Sequence, residues 1–150
     1  MRKRLRAGVI GVGAMGKNHA RIYSQLPVME LVGVADTNET LAASIAQSYG
    51  CKAYADYHDL LGEDLDAVSI VVPTTLHKKV ALDAIRRGVN ILVEKPIADT
   101  VENADEIIEA AREHGVKLMV GHVERFNPAI IKLKELIDNG LVGNVVSISA

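Results

Sequence analysis

Short apolar runs alternate with segments of helical periodicity along almost the whole chain. The apolar runs predict strands near Arg6–Val12, Leu31–Ala35, Ala67–Val72, Val89–Val93, Lys117–Gly121 and Val145–Ser149, with a weaker one at Cys51–Tyr54. Between them the pattern predicts helices over Met15–Gln25, Glu39–Tyr49, His77–Arg87, Val101–His114 and Pro128–Asn139. The ends of these segments carry their own signals. Gly50, Gly88, Gly115 and Gly140 each follow a helical run, where a left-handed residue ends a helix. Asn127 before Pro128 reads as an N-cap followed by the first helical position, and Thr100 caps the helix after it. Strands alternating with helices imply parallel pairing through right-handed crossovers. The expected fold class is therefore α/β: a Rossmann-type, doubly wound, mostly parallel sheet with helices on both faces.

Composition narrows this picture. The chain has 150 residues, 49% of them hydrophobic and 24% charged, which is one soluble domain's worth with a sizeable core. Aromatics are 3%, with one Phe and no Trp, so the core must be Val, Ile, Leu and Ala, which suits strands buried on both faces. A net charge of -2 argues against a nucleic-acid surface. The basic start, Arg2, Lys3, Arg4 and Arg6, reads as a solvated lead-in to the first strand rather than a polyanion-binding arm. The run AGVIGVGAMG is too short and too glycine-rich to cross a membrane, so no membrane partner is expected. The single cysteine, Cys51, excludes an internal disulfide and fits a reducing, cytoplasmic setting. No metal site is expected.

The chemistry starts at GVIGVGAMGKNHA. Gly11-x-Gly13-x-x-Gly16 follows a predicted strand and opens a helix within the first βαβ unit. Gly11 permits the tight turn, Gly13 lets the backbone approach a pyrophosphate, and Gly16 lets helix and strand pack closely. Val12, Ala14 and Met15 complete a phosphate-binding turn at a helix N-terminus. Asp36 lies 20 residues after Gly16, at the end of the second strand, where a carboxylate accepts from both ribose hydroxyls and repels a 2′-phosphate. Thr37 and Asn38 supply no arginine for that phosphate, so NAD is expected over NADP. Asp36 can also cap the helix that starts near Asn38, and the two readings are compatible.

Two further strand ends face the same edge. Pro73, Thr74 and Thr75 end one strand and His77 opens the next helix, so all four are candidate cofactor-binding residues, although a first-turn histidine also packs or caps. One strand along, ILVEKPIAD places Glu94, Lys95 and Pro96 together. Lys95 is the candidate catalytic residue, because oxidation of an alcohol by hydride loss must also release a proton. Pro96 stiffens the loop, and Glu94 and Pro96 join the cofactor-binding set. The alternative is a surface ion pair beside a turn.

Together GVIGVGAMGKNHARIYSQLP, VADTN, VVPTTLHKKVALDAIRRGVNILVEKPIA and VGHVERFNPAI resemble the N-terminal domain of the glucose-fructose oxidoreductase and inositol dehydrogenase family, Gfo/Idh/MocA. The resemblance implies catalysis by the lysine matching Lys95 and a cis peptide at Pro96. The GHVERFNPAI stretch is similar to the UDP-N-acetylglucosamine 3-dehydrogenase branch and puts His122, Arg125 and Asn127 near the nicotinamide and sugar. Arg125 suits a phosphate or sugar oxygen, whereas Asn127 is already an N-cap and His122 is equally suited to supporting its neighbours. The implied activity is NAD-dependent hydride transfer to or from a hydroxyl of a sugar, sugar nucleotide or cyclitol. Residues 1–143 would form the cofactor domain and 144–150 would begin a second α/β domain, absent here, that completes the substrate pocket. This chain would then bind dinucleotide but turn over poorly, and the full-length parent would be a homo-oligomer. The alternative is a non-catalytic NAD(P)-binding regulatory or sensor module.

Overall fold

The computed structural model describes residues 4–148. The elements run β1 (Leu5–Ile10), α1 (Gly16–Gln25), β2 (Met29–Ala35), α2 (Glu39–Tyr49), β3 (Lys52–Tyr54), α3 (Tyr57–Leu60), β4 (Ala67–Ile70), α4 (Thr74–Arg86), β5 (Asn90–Val93), α5 (Val101–Glu113), β6 (Leu118–Val120) and α6 (Pro128–Asp138), with a 3-10 turn at Val123–Phe126 before α6. The strands form one sheet in the order β3-β2-β1-β4-β5-β6, and every pair is parallel. This is the expected Rossmann-type α/β fold. The strand order reverses between β1 and β4, which opens a crevice beyond their carboxyl ends.

The core explains why the strands read as apolar runs. On one face Ile10, Val68, Ile70 and Val93 pack with Val80 and Ile85 of α4 and Ile107 of α5. On the other, Val9, Val12 and Val34 pack with Ala20 of α1 and Ala46 of α2. Each such aliphatic side chain contributes roughly 1.5–3 kcal/mol on leaving water. The small residues on α1 and α2 let those helices lie close to the sheet. The left-handed glycines end helices as expected: Gly50, Gly88, Gly115 and Gly140 have φ of 66°, 74°, 67° and 72°.

Three differences from the sequence pattern have physical causes. Helix α4 begins at Thr74, not His77, because Pro73 takes the entry position with φ -53° and ψ 142°, and the two threonines fill the first turn. Helix α3 was not legible from periodicity, since a single turn has none. It is set instead by Asp56, whose Oδ1 accepts the His58 N–H at 2.8 Å. The strand expected at Val145–Ser149 is not formed over residues 145–148, and Ser149 lies outside the described residues. A strand needs a ladder partner. Here the alternating apolar residues Val146 and Ile148 are 94% and 76% exposed instead.

The basic lead-in is tied down where it is described. Arg6 donates its N–H to Asp66 and its guanidinium to Glu30 and the Asp64 carbonyl, and Arg4 lies 3.9 Å from Glu30. Arg2 and Lys3 lie outside the described residues. Among the described residues no helix is long and apolar enough to cross a membrane.

Candidate active site at the carboxyl edge of the sheet

The parallel ladder continues one residue past the strands at this edge. Gly11 N–H donates to Ala35 O, Val71 N–H to Ile10 O, Glu94 N–H to Ile70 O and Gly121 N–H to Val93 O, at 2.8, 2.8, 2.9 and 2.8 Å. These four residues therefore stand in one row across β1, β4, β5 and β6, and Lys95 follows directly on that row. Two strand spacings separate the glycine turn from it, about 10 Å.

The three glycines of the turn have unequal demands. Gly11 has φ +84°, and a Cβ on it would meet the Val71 carbonyl oxygen at 2.5 Å. A Cβ on Gly16 would lie 1.8 Å from the Gly11 carbonyl oxygen, so helix and turn touch there. Gly13 has an ordinary φ, and no atom of the protein comes within 4 Å of its would-be Cβ. The fold itself requires Gly11 and Gly16; open space at Gly13 is what an approaching ligand requires. The exposed loop Gly13–Met15 leads into α1, whose Met15 cap position has no side-chain cap. Among the described residues the N–H groups of Gly13, Ala14 and Met15 donate to no protein acceptor. Free N–H groups at the positive end of a helix form an anion cradle. Val12 contributes only its main chain, because its side chain is fully buried in the core.

Asp36 braces this turn. Its Oδ2 accepts the Val12 N–H at 2.8 Å, and its Oδ1 accepts the Asn38 N–H at 2.9 Å. The cap of α2 is Asn38 itself, which accepts from Leu41 N–H at 3.0 Å. A carboxylate has about four acceptor sites, so two remain for a ligand. Asp36 and the exposed Thr37 line a cleft of about 310 Å³ with Gly11, Gly13, Tyr57, Pro73 and Lys79.

Across the crevice, Thr74 and Thr75 form the first turn of α4, where N–H groups have no helical partner. His77 is 1% exposed. Its Nδ1 lies 2.9 Å from Pro96 O and its Nε2 lies 2.9 Å from Val72 O. A neutral ring donates to one of these carbonyls, and only the imidazolium donates to both. The ring thus sits between the β4 turn and the loop after Lys95. Expected beside the cofactor, the His77 ring instead sits beneath the surface. Glu94 is likewise buried, at 7% exposure, and its carboxylate turns to the Lys95 N–H at 3.1 Å and to His19. Lys95 and Pro96 are exposed, and the bond between them is cis.

The residues after β6 stand at the same edge. His122 and Arg125 are exposed, Arg125 on the 3-10 turn, and among the described residues the Arg125 guanidinium makes no ion pair. Asn127 caps α6 by accepting the Ala129 N–H at 3.0 Å, and its amide donates to Glu124 at 2.8 Å. The structure thus brings the glycine turn, Asp36, Thr74, Thr75, Lys95 and Arg125 to one edge.

Sequence reasoning missed a polar group behind Lys95. His19 of α1 contacts Ser69 Oγ and Glu94 Oε1 at 3.0 and 3.1 Å, and Tyr23 OH contacts Ser69 Oγ at 2.6 Å. Burial raises the Tyr23 hydroxyl above its ordinary 10.0, partly countered by its bond to Ser69. The signal was available: Gly16, Ala20 and Tyr23 form the sheet-facing stripe of α1, and His19 sits three residues from Gly16 on that stripe. Cys51, at the opposite edge, takes no part, and burial pushes its thiol up to about 11, which keeps it protonated at neutral pH.

Comparison with known proteins agrees with this geometry. Residues 5–122 match the family described as the Gfo/Idh/MocA oxidoreductase family, NAD-binding Rossmann fold. The chain is 43% identical over 131 residues to UDP-N-acetylglucosamine 3-dehydrogenase of Acidithiobacillus ferrooxidans, covering 87% of this chain and 41% of that protein. A solved structure of that enzyme superposes with a TM-score of 0.83 over 88% of this chain and 43% of that one. Inositol 2-dehydrogenase of Rubrobacter xylanophilus is 35% identical over 94% of this chain and 42% of its own length. Scyllo-inositol dehydrogenase of Lactobacillus casei, solved with NAD(H) and scyllo-inositol, is 25% identical with a TM-score of 0.88 over 95% of this chain and 43% of that one. The chain therefore spans less than half the length of these relatives. With a reversing parallel sheet, a free-standing glycine turn and a lysine two strands from it, this chain belongs to the Gfo/Idh/MocA oxidoreductase family as its NAD-binding Rossmann domain.

Proposed function

We propose that this chain is the cofactor domain of an NAD-dependent dehydrogenase acting on a hydroxyl of a sugar nucleotide, with Lys95 handling the proton. The observation that carries this reading is the row of ladder residues that puts exposed Lys95 about 10 Å from the Gly13 turn. With Asp36 on the β2 side of the turn, an adenosine ribose belongs there. The nicotinamide half then extends the other way, toward β4 and β5 and thus toward Lys95. A bound dinucleotide supplies the hydride acceptor. The neutral Lys95 amine takes the hydroxyl proton as the carbinol carbon loses hydride, and the ammonium returns that proton in the reverse direction. Asp36, with no cation bonded to it among the described residues, favours free ribose hydroxyls over a 2′-phosphate, which supports NAD over NADP.

A sugar-nucleotide substrate is supported by the 43% identity to UDP-N-acetylglucosamine 3-dehydrogenase and by the exposed guanidinium of Arg125, which forms no ion pair among the described residues and suits a phosphate oxygen. The inositol dehydrogenases among the relatives support a hydroxyl-bearing ring more generally. Residues 144–150 would lead into a second domain that completes the substrate pocket. The test is calorimetric titration with NAD and NADP, for the unchanged chain and for Asp36→Ala, together with turnover of Lys95→Ala in the complete enzyme. The expected result is NAD binding that weakens in Asp36→Ala, much weaker NADP, and a Lys95→Ala enzyme that binds NAD but loses turnover. A folded chain that binds neither dinucleotide would overturn the reading.

A further inference from the structure

We propose that His19 is a positioning residue for Lys95 and acts through the buried carboxylate of Glu94. The inference rests on the reading that Lys95 does the proton chemistry. At the end of β5 the Glu94 N–H is held by the ladder, bonded to Ile70 O at 2.9 Å. Lys95 is the first residue beyond that ladder. Its N–H is received at 3.1 Å by Oε2 of Glu94, its own neighbour's side chain. The direction in which the chain leaves the sheet, and with it the direction of the Lys95 side chain, thus depends on where the Glu94 carboxylate sits.

That seat is built by three other elements. His19 of α1 reaches Oε1 with Nε2 at 3.1 Å. Ser69 in the middle of β4 holds the other ring nitrogen at 3.0 Å, and Tyr23 holds Ser69 at 2.6 Å. At the end of β6, Gly121 leaves the slot open, since a Cβ there would stand 2.9 Å from Oε1 and 3.1 Å from the carboxylate carbon.

Donor and acceptor types set the direction of the chain of bonds. An ionised carboxylate only accepts, so Nε2 of His19 carries a proton toward Glu94. In the neutral ring Nδ1 then accepts from the Ser69 hydroxyl, and Ser69 accepts from the Tyr23 hydroxyl. Every group is satisfied, as a largely buried network must be. Without His19, the Glu94 carboxylate would be left in a largely buried site with one donor, the Lys95 N–H, an unfavourable arrangement that would drive it to turn toward water. The network is not a relay to the lysine amine: among the described residues Glu94 bonds the Lys95 main chain, and the Lys95 amine bonds neither Glu94 nor any other carboxylate. On the opposite face, the His77 ring lies 2.9 Å from Pro96 O, so the residues on both sides of Lys95 are contacted from the two helical layers.

Two variants separate this role from general stability. In His19→Gln the terminal amide reaches about as far as Nε2 and can still donate to Glu94. In His19→Asn the shorter amide matches Nδ1 and keeps the Ser69 contact while losing Glu94. Amide hydrogen exchange at Lys95, followed by NMR in this chain, reads the seat directly. We expect His19→Asn to speed exchange at Lys95 roughly tenfold or more, the loss of one hydrogen bond to a charged group, while His19→Gln stays near the parent. In the complete enzyme the same pair should split on kcat, with His19→Asn low, His19→Gln largely restored, and KM for NAD unchanged in both. Equal Lys95 exchange in the two variants, or a loss that falls on KM for NAD, would overturn the proposal. Failure of the parent chain to bind NAD by calorimetry would instead refute the dehydrogenase reading, while the exchange comparison still decides the Glu94 seat.

Discussion

Alanine at Gly13 and alanine at Gly16 should have opposite effects, although both glycines belong to the same turn. At Gly16 the added Cβ would lie 1.8 Å from the Gly11 carbonyl oxygen, a backbone atom that cannot swing away. Relief requires α1 to lift off the turn, which costs about 3 kcal/mol or more. For a chain of this size that lowers Tm by roughly 6–12 °C. At Gly13 nothing lies within 4 Å and φ is ordinary, so alanine is accommodated without strain. It should stabilise the fold by about 0.4–1 kcal/mol through the unfolded chain, raising Tm by roughly 1–4 °C. The same methyl group would occupy the space over which, on the proposed function, a pyrophosphate meets the N–H groups of Gly13–Met15. Losing two such charge-assisted bonds, at about 1.5–3 kcal/mol each, weakens NAD binding at least ~100-fold. Thermal melts and calorimetric titration of the two variants test this together. A Gly13→Ala chain that melts below the parent would refute the geometry of the turn. One that binds NAD as well as the parent would refute the placement of the pyrophosphate.

Two further predictions concern stability. His77→Leu keeps the volume of a buried side chain but removes the ring nitrogens from between Val72 O and Pro96 O, so a carbonyl loses its donor. It should cost about 2 kcal/mol and lower Tm by roughly 4–8 °C, and an unchanged melt would show that the ring bears no load between the two loops. Glu63 is held below its ordinary 4.5 by hydrogen bonds first from Lys52 and then from Tyr54. A depressed carboxyl contributes stability that is present above pH 4.5 and lost as pH falls through its folded value. Chemical denaturation of Glu63→Gln from pH 7 to pH 3 should therefore show a shallower loss of stability below pH 4.5 than the parent, and parallel curves would refute the assignment.

Much of the fold was legible because its determinants are local. A strand buried on both faces must be apolar throughout, and a helix ending in a left-handed residue favours glycine, so runs such as VSIVV and glycines such as Gly50 mark elements without reference to partners. The glycine turn and Asp36 were legible for the same reason, since their spacing is fixed by one βαβ unit. Elements without internal periodicity were not: α3 is one turn, and the start of α4 depended on how Pro73 enters the helix. The strand expected near the end of the chain failed because strand formation requires a neighbour, which local sequence does not specify.

By itself, then, the sequence determined the alternation of elements, the glycine turn and the presence of a lysine just after β5. The tertiary structure alone decided what surrounds that lysine. His19, Ser69, Glu94 and Gly121 lie on four different elements, from position 19 to position 121, and only the register of a parallel sheet and the packing of α1 bring them together. The histidines His19 and His77 show the same division. Their positions follow from helical periodicity, but their bonding partners, a carboxylate for His19 and two carbonyls for His77, arise from chain segments that meet only after the sheet has formed. Hydrogen-bond partners are chosen by proximity in space, and the order of residues along a chain constrains that proximity only within a single element.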